Sequence, residues 1–301
     1  MQPDYVRIEL KQNNDHVYIK SLLPDAICYP LFYQPGRMRM AADQLGDFQG
    51  IMVELPVSAE ELSRVKEGWL KAYLNYIENH LHITDVAFFV NAVLAEVFLM
   101  GETSYETELK LLLLKEMSEH LLRKHRITRQ EARVIIIDDG TWHLPVAVHQ
   151  LVQGLNYLTV VTERADEIDS LGQELLTEYG LAVIFATPDE VSELRADLVV
   201  NLIQEKEKVT TRLRGRSILI DFGYTDKKAV KLSQMNTKLQ IYHTMKLKSV
   251  QDTVTLKELS QIMYYKEPLF RQFIEGKLGR QQMEELLNLW DRYFVEMVRV
   301  Y

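Results

Sequence analysis

The chain has 301 residues, 47% hydrophobic and 26% charged, with a formal net charge of −8. That length suits two domains of ordinary size, and the balance excludes a collagen-like, low-complexity or charge-dominated disordered chain. The acidic surplus gives no general attraction to nucleic acid or anionic membrane, the single cysteine excludes an intrachain disulfide, and no apolar run approaches the roughly 18 residues of a spanning helix.

MQPDYVRIEL has no basic segment leading into an apolar core, so a cytoplasmic protein is expected. VRIEL and HVYIK alternate with the two-residue period of half-buried strands around QNND, which predicts a hairpin. Cys28, in DAICYPLFY, is expected to be buried as a small hydrophobe. GIMVELP reads as a further strand. It runs into Ser58-Ala59-Glu60-Glu61, a capping-box pattern that predicts a helix to about residue 80 with Leu62, Val65, Trp69, Tyr73 and Ile77 on one face. His80 and His82 are two apart, a ligand spacing only if that stretch is a strand, and no third ligand is assignable. DVAFFVNAVLAEVFLM is apolar almost all round and reads as buried. A long helix is predicted from Glu106 to about Lys124, and its basic end RKHR, with His120 and His125 nearby, suits a helix C-terminus.

From about residue 130 short apolar runs alternate with helical patterns. VIIID, LTVVT, LAVIFA, DLVVNLI and SILIDFG read as strands, and PVAVHQLVQGL and DEIDSLGQELLTEYG as helices, the second closed by Gly180. Thr187-Pro188-Asp189-Glu190 has the order of an N-cap, a first-turn proline and a third-position carboxylate, and Lys206 to Arg216 reads as a solvated basic surface. Continuous apolar strands separated by helices imply a parallel sheet covered on both faces. Beyond Gly223, Thr255 to Glu258 is another capping box. A last helix is predicted to carry Met283, Leu286, Leu287, Trp290, Tyr293, Phe294, Met297 and Val298 as an apolar stripe, most of it core, with a homo-oligomer interface as the other use.

In RVIIIDDGTWHLP the first strand ends where a dinucleotide-binding turn carries three glycines. Aligning the strand ends puts Asp138, Gly140 and His143 at those places, so only the middle one is retained. Asp138 and Asp139 would face a diphosphate with like charge, which suits an uncharged or cationic ligand better, or none. Glu163, some twenty residues on, stands where an acidic side chain takes a ribose hydroxyl pair, and Arg164 could stack on adenine or meet a 2′-phosphate. Equally, both could simply begin a surface helix.

The segment from Arg133 to Asp226 resembles the NAD(P)-binding domain of the shikimate dehydrogenase and glutamyl-tRNA reductase group, in TVVTERADEIDSLGQELLTEYG, ELRADLVVNLI and SILIDFG. The resemblance implies a Rossmann-like fold and cofactor positions at Gly140, Glu163 and Arg164. It transfers no catalytic residue: VELPVSAEEL lacks the group's lysine and AICYP does not match its cysteine motif.

The expectation is therefore an α/β chain: an N-terminal α/β or α+β domain over 1–128, a Rossmann-like parallel sheet over 129–228 and a C-terminal helical segment over 229–301. The expected cofactor-binding set is Asp139, Gly140, Thr141, Trp142, His143, Thr162, Glu163, Arg164 and Asn201, with no metal and no catalytic group assigned. The leading function is an NAD(P)-dependent oxidoreductase acting on a small molecule, taking NAD or NADP. The alternatives are a cofactor-free Rossmann-like structural or regulatory module, and a methyltransferase-like protein whose S-adenosylmethionine sulfonium would suit the acidic turn.

Overall fold

The computed structural model describes residues 2–11, 24, 28–62, 65–81, 86–90, 94, 104–203, 210–213, 215–223, 225–247, 254–290 and 295–299. In chain order the elements are β1 (Tyr5–Leu10), β2 (Arg39–Leu45), β3 (Phe48–Leu55), α1 (Glu67–Leu81), β4 (Ala87–Val90), α2 (Glu106–Leu112), α3 (Leu114–Lys124), β5 (Arg133–Ile137) and α4 (His143–Leu151). There follow β6 (Tyr157–Val161), α5 (Asp169–Tyr179), β7 (Val183–Ala186), β8 (Leu198–Asn201), β9 (Ser217–Asp221), α6 (Asp226–Met235), β10 (Leu239–Leu247), α7 (Leu256–Lys266), α8 (Pro268–Ile274), α9 (Arg280–Trp290) and β11 (Val295–Arg299). The chain forms two compact units, one from 1–105 with 253–272 and the other from 106–252 with 273–301.

The first unit is built on a sheet of order β2-β3-β1-β4, with β1 parallel to both β3 and β4. VRIEL forms β1, whose edges are both occupied over Tyr5–Ile8, and HVYIK, the other half of the expected hairpin, lies outside the described residues. A described hairpin is β2–β3, closed by Gly46-Asp47, where Gly46 takes a φ of 58° that a tight turn favours in glycine. Against this sheet α1 buries Leu70, Tyr73 and Ile77. It starts at Glu67, not at Ser58. Glu61 supplies its half of the expected cap by accepting the Ser58 amide at 3.1 Å, and its carboxylate is shared with the Tyr33 hydroxyl at 2.9 Å. His80 lies within α1, stacked on Tyr76, which removes the strand spacing that a two-histidine site needed. Thr255 and Glu258 form the full reciprocal box that starts α7.

The second unit holds a sheet of order β11-β10-β9-β8-β5-β6-β7. The strands from β5 to β10 pair in parallel and β11 is antiparallel to β10. Numbered within this unit, the parallel strands run 3-2-1-4-5-6, the doubly wound order of dinucleotide-binding sheets, whose direction of winding reverses between β5 and β8. Every residue of β8 and β9, and β5 after Arg133, is buried, as expected for strands covered on both faces. Gly180 closes α5 at a φ of 66°, with the Leu181 amide reaching back to the Leu175 carbonyl at 3.3 Å in a Schellman turn.

Three expectations in this unit change. The helix over 106–124 is broken at Leu113, whose amide is shared between the carbonyls of Leu109 and Lys110 at 3.2 and 3.1 Å. His125 caps α3, but burial first, then Lys124 and Arg299, push its imidazole below the ordinary range, so a charge–dipole contact is not its role. The last apolar stripe is not one helix: α9 ends at Trp290, and Val295–Arg299 is a strand in which Met297 is buried and Glu296 exposed, a two-residue alternation.

The Tyr5 ring lies over its register partner Gly50 and is wholly buried; a methyl group on Gly50 would stand 2.2 Å from Tyr5 Cζ. Gly50→Ala is expected to destabilise the protein by about 1–3 kcal/mol in chemical denaturation, and pairing it with Tyr5→Leu should recover part of the loss. A change below about 0.5 kcal/mol would show that the ring is not fixed there.

Candidate functional site

The turn from β5 into α4 sits at the carboxyl end of the central strand, where ligands of open α/β sheets lie. β5 and β6 are in register at Ile137 and Val161, so the next residues, Asp138 and Thr162, come side by side. Asp138 is 8% exposed and is fully engaged. Oδ1 accepts the Gly140 amide at 2.9 Å and Arg164 Nη2 at 3.0 Å; Oδ2 accepts the Thr162 hydroxyl at 2.7 Å and Arg164 Nε at 2.8 Å. Arg164 Nη2 also donates to the Thr141 carbonyl at 2.9 Å. The guanidinium thus meets the carboxylate with two donors, the strongest geometry such a pair has, and that contact raises the Arg164 pKa further.

Asp139 repeats the device one residue on. It accepts the Thr141 amide at 3.0 Å, the Thr141 hydroxyl at 2.7 Å and His143 Nδ1 at 2.7 Å, while the His143 amide donates to Thr141 Oγ1 at 3.1 Å. A carboxylate only accepts, so Nδ1 carries the proton. Burial alone would raise the Asp139 carboxyl, but the hydrogen bonds from His143 and Thr141 outweigh it and hold it below the usual range. The amides of Gly140, Thr141 and His143, which in a phosphate-binding turn would point at the ligand, are satisfied by side chains of the turn itself. Gly140 keeps a φ of 79° with open space where a Cβ would stand.

A crevice of about 300 Å³ opens beside this turn. Of the residues expected from the sequence, Asp139, Gly140, Thr162, Glu163 and Arg164 line it. Thr141, Trp142, His143 and Asn201 do not. Trp142 stands edge-on to Phe273 with ring centres 5.0 Å apart, and buried Asn201 donates to Asp221 Oδ1 at 2.7 Å, joining the ends of β8 and β9. The apolar walls Ile137, Val161, Pro188 and Ile203 escaped sequence reading, as did the pairing of Asp138 with Arg164, which only the strand register signals. That pairing engages Arg164 Nε and Nη2 with Asp138 and the Thr141 carbonyl.

A second cavity, of about 580 Å³, lies within the first unit at the carboxyl ends of β1 and β4. It is lined by Arg7, Lys11, Ser58, Glu60 and Glu258 among others. Arg7 bridges Asp43 and Glu258 at 3.5 and 3.3 Å. Ser58 is 5% exposed, and its hydroxyl has no hydrogen-bond partner among the described residues, an uncompensated polar burial suited to a ligand. No group of three His, Cys, Asp or Glu side chains that could hold a metal occurs among the described residues, and no described helix is long and apolar enough to cross a membrane.

No protein-family model matches the chain, and no curated protein matches it. Solved structures similar to it include shikimate dehydrogenase 1 from Peptoclostridium difficile, at 11% identity over 96% of this chain and 98% of that one, TM-score 0.33. L-tryptophan dehydrogenase from Nostoc punctiforme is similar at 10% identity over 96% and 80%, TM-score 0.36. L-alanine dehydrogenase is similar at 13% identity over 38% and 37%, TM-score 0.30, so the match spans little more than a third of that protein. These likenesses are loose. The Rossmann-type fold rests on the order and direction of β5 to β10.

Because the folded Asp139 carboxyl is depressed, the stability it contributes is present above the ordinary aspartate range and is lost as pH falls through its lowered value. Thr141→Val removes a hydroxyl donor to that carboxylate and the acceptor for the His143 amide. It is expected to cost about 1 kcal/mol near pH 7, with the gap from the parent closing as pH drops below about 4. Denaturation midpoints at a series of pH values check this; a pH-independent gap would contradict it.

Proposed function

We propose that the chain is an NAD-dependent oxidoreductase acting on a small polar substrate. The observation that carries this reading is Glu163, at the tip of the strand next to the central turn, lining a crevice at the carboxyl edge of a sheet wound in dinucleotide-binding order. A ribose hydroxyl pair would donate to that carboxylate. NAD is preferred over NADP because a 2′-phosphate would meet the Glu163 charge while the nearby guanidinium is committed to Asp138.

A second reading has a specific observation behind it. The turn's own carboxylates already fill the place of a pyrophosphate, and their charge repels one, which favours a cofactor-free Rossmann-like module. An S-adenosylmethionine site is the third, since a sulfonium would be attracted where a diphosphate is repelled.

Calorimetric titration with NADH, NADPH and S-adenosylmethionine separates the three. The proposal expects saturable micromolar NADH binding, weaker NADPH binding, and a loss of about tenfold or more on Glu163→Ala, in line with removal of a charged hydrogen-bond acceptor. Silence from every nucleotide supports the cofactor-free module, and selective binding of S-adenosylmethionine the methyltransferase-like reading. The double substitution Asp138→Gly with His143→Gly is expected to lower thermal stability yet tighten NADH binding, since it opens the Gly140 amide and removes one carboxylate from the turn. Unchanged affinity in a folded variant would mean that the turn does not face the cofactor.

A further inference from the structure

At the opposite, amino edge of the second unit's sheet lies another groove, of about 600 Å³. Its frame is rigid. The Asp197 amide donates to the Arg133 carbonyl at 2.9 Å, the Arg133 amide to Asp197 Oδ2 at 2.9 Å, the Ile218 amide to the Asp197 carbonyl at 2.9 Å, and the Ser217 hydroxyl to the Ala196 carbonyl at 2.8 Å, which ties together the starts of β5, β8 and β9.

Arg133, Arg195 and Arg216 line this groove, and all three are exposed. Elsewhere Arg129 pairs with Glu119, Arg164 with Asp138 and Arg212 with Asp189. Among the described residues no carboxylate lies within ion-pair distance of the three groove arginines. Glu193 and Asp197 also line the groove, so its formal charge is positive by one in a chain whose net charge is −8, and the Asp197 oxygen nearest β5 is taken by a backbone amide. Gly215, on the rim, holds a φ of 95° with nothing within 4 Å of a hypothetical Cβ, so the backbone there can be approached closely.

Three guanidiniums without an ion-pair partner among the described residues, set around one cavity, suit tetrahedral oxyanions, each able to offer two parallel donors to a phosphate. We propose that this groove binds a small anion carrying two or more phosphate groups, at a site separate from the crevice at the carboxyl edge. The inference does not depend on what the crevice holds.

The test uses the full chain and calorimetric titration with inorganic pyrophosphate and tripolyphosphate. One saturable site is expected, tighter for tripolyphosphate and weakened by added salt. Arg195→Gln with Arg216→Gln should reduce affinity at least tenfold while the thermal midpoint stays close to the parent's. Glu163→Ala should leave pyrophosphate binding unchanged. If the double substitution unfolds the chain, Arg195→Gln alone should still weaken binding severalfold. No saturable binding, binding indifferent to the arginine substitutions, or a stoichiometry on homopolymeric RNA that grows with its length would each overturn the proposal.

Discussion

The Asp138 carboxylate is the interaction on which the site depends. Placed at the tip of β5 with its side chain almost wholly buried, it would be costly to bury unpaired. Its neighbours answer that cost: a hydroxyl from β6's first following residue, a bidentate guanidinium two residues later and an amide from its own turn. One side chain thereby links the ends of two parallel strands and the turn that leads into α4. The same contacts hold Arg164 at the crevice mouth and leave Glu163, between two clamped residues, lining the cavity.

This arrangement puts negative charge, the sign a dinucleotide's diphosphate carries, into the turn. A dinucleotide turn has empty amides waiting for a phosphate; here Asp138 and Asp139 supply the acceptor oxygens from within, and the Arg164 guanidinium offsets part of their charge. A bound diphosphate would have to displace one of these carboxylates or sit farther out than usual. An acidic turn disfavours a diphosphate, whereas the Glu163 carboxylate at the tip of the next strand would favour a ribose hydroxyl pair.

Much of the second unit was legible in the sequence because its signals are local. Four consecutive aliphatic residues at Val134–Ile137, the fully buried LVVN and SILID, and a glycine closing α5 each state their element without help from distant residues. Of the crevice lining, Asp139, Gly140, Thr162, Glu163 and Arg164 followed from strand ends for the same reason. What escaped depends on pairing. The alternation in VRIEL is that of a strand but does not say that both its neighbours run parallel to it. The spacing from Met283 to Val298 is apolar enough for a helix, yet Val295–Arg299 gains ladder hydrogen bonds on β10, a gain invisible in a local window. Asp138 looked unfavourable in isolation because Arg164, 26 residues away, is brought to it only by the register of β5 on β6.

The most direct measurement is a double-mutant cycle on stability at neutral pH, using Asp138→Asn, Arg164→Gln and the pair. Because the carboxylate is buried and shared by both donors of one guanidinium, the account expects a coupling energy of about 1.5 kcal/mol or more, with the double variant less destabilised than the sum of the singles. Coupling within about 0.3 kcal/mol of zero would mean that the two side chains act independently, and the turn would then need a different explanation.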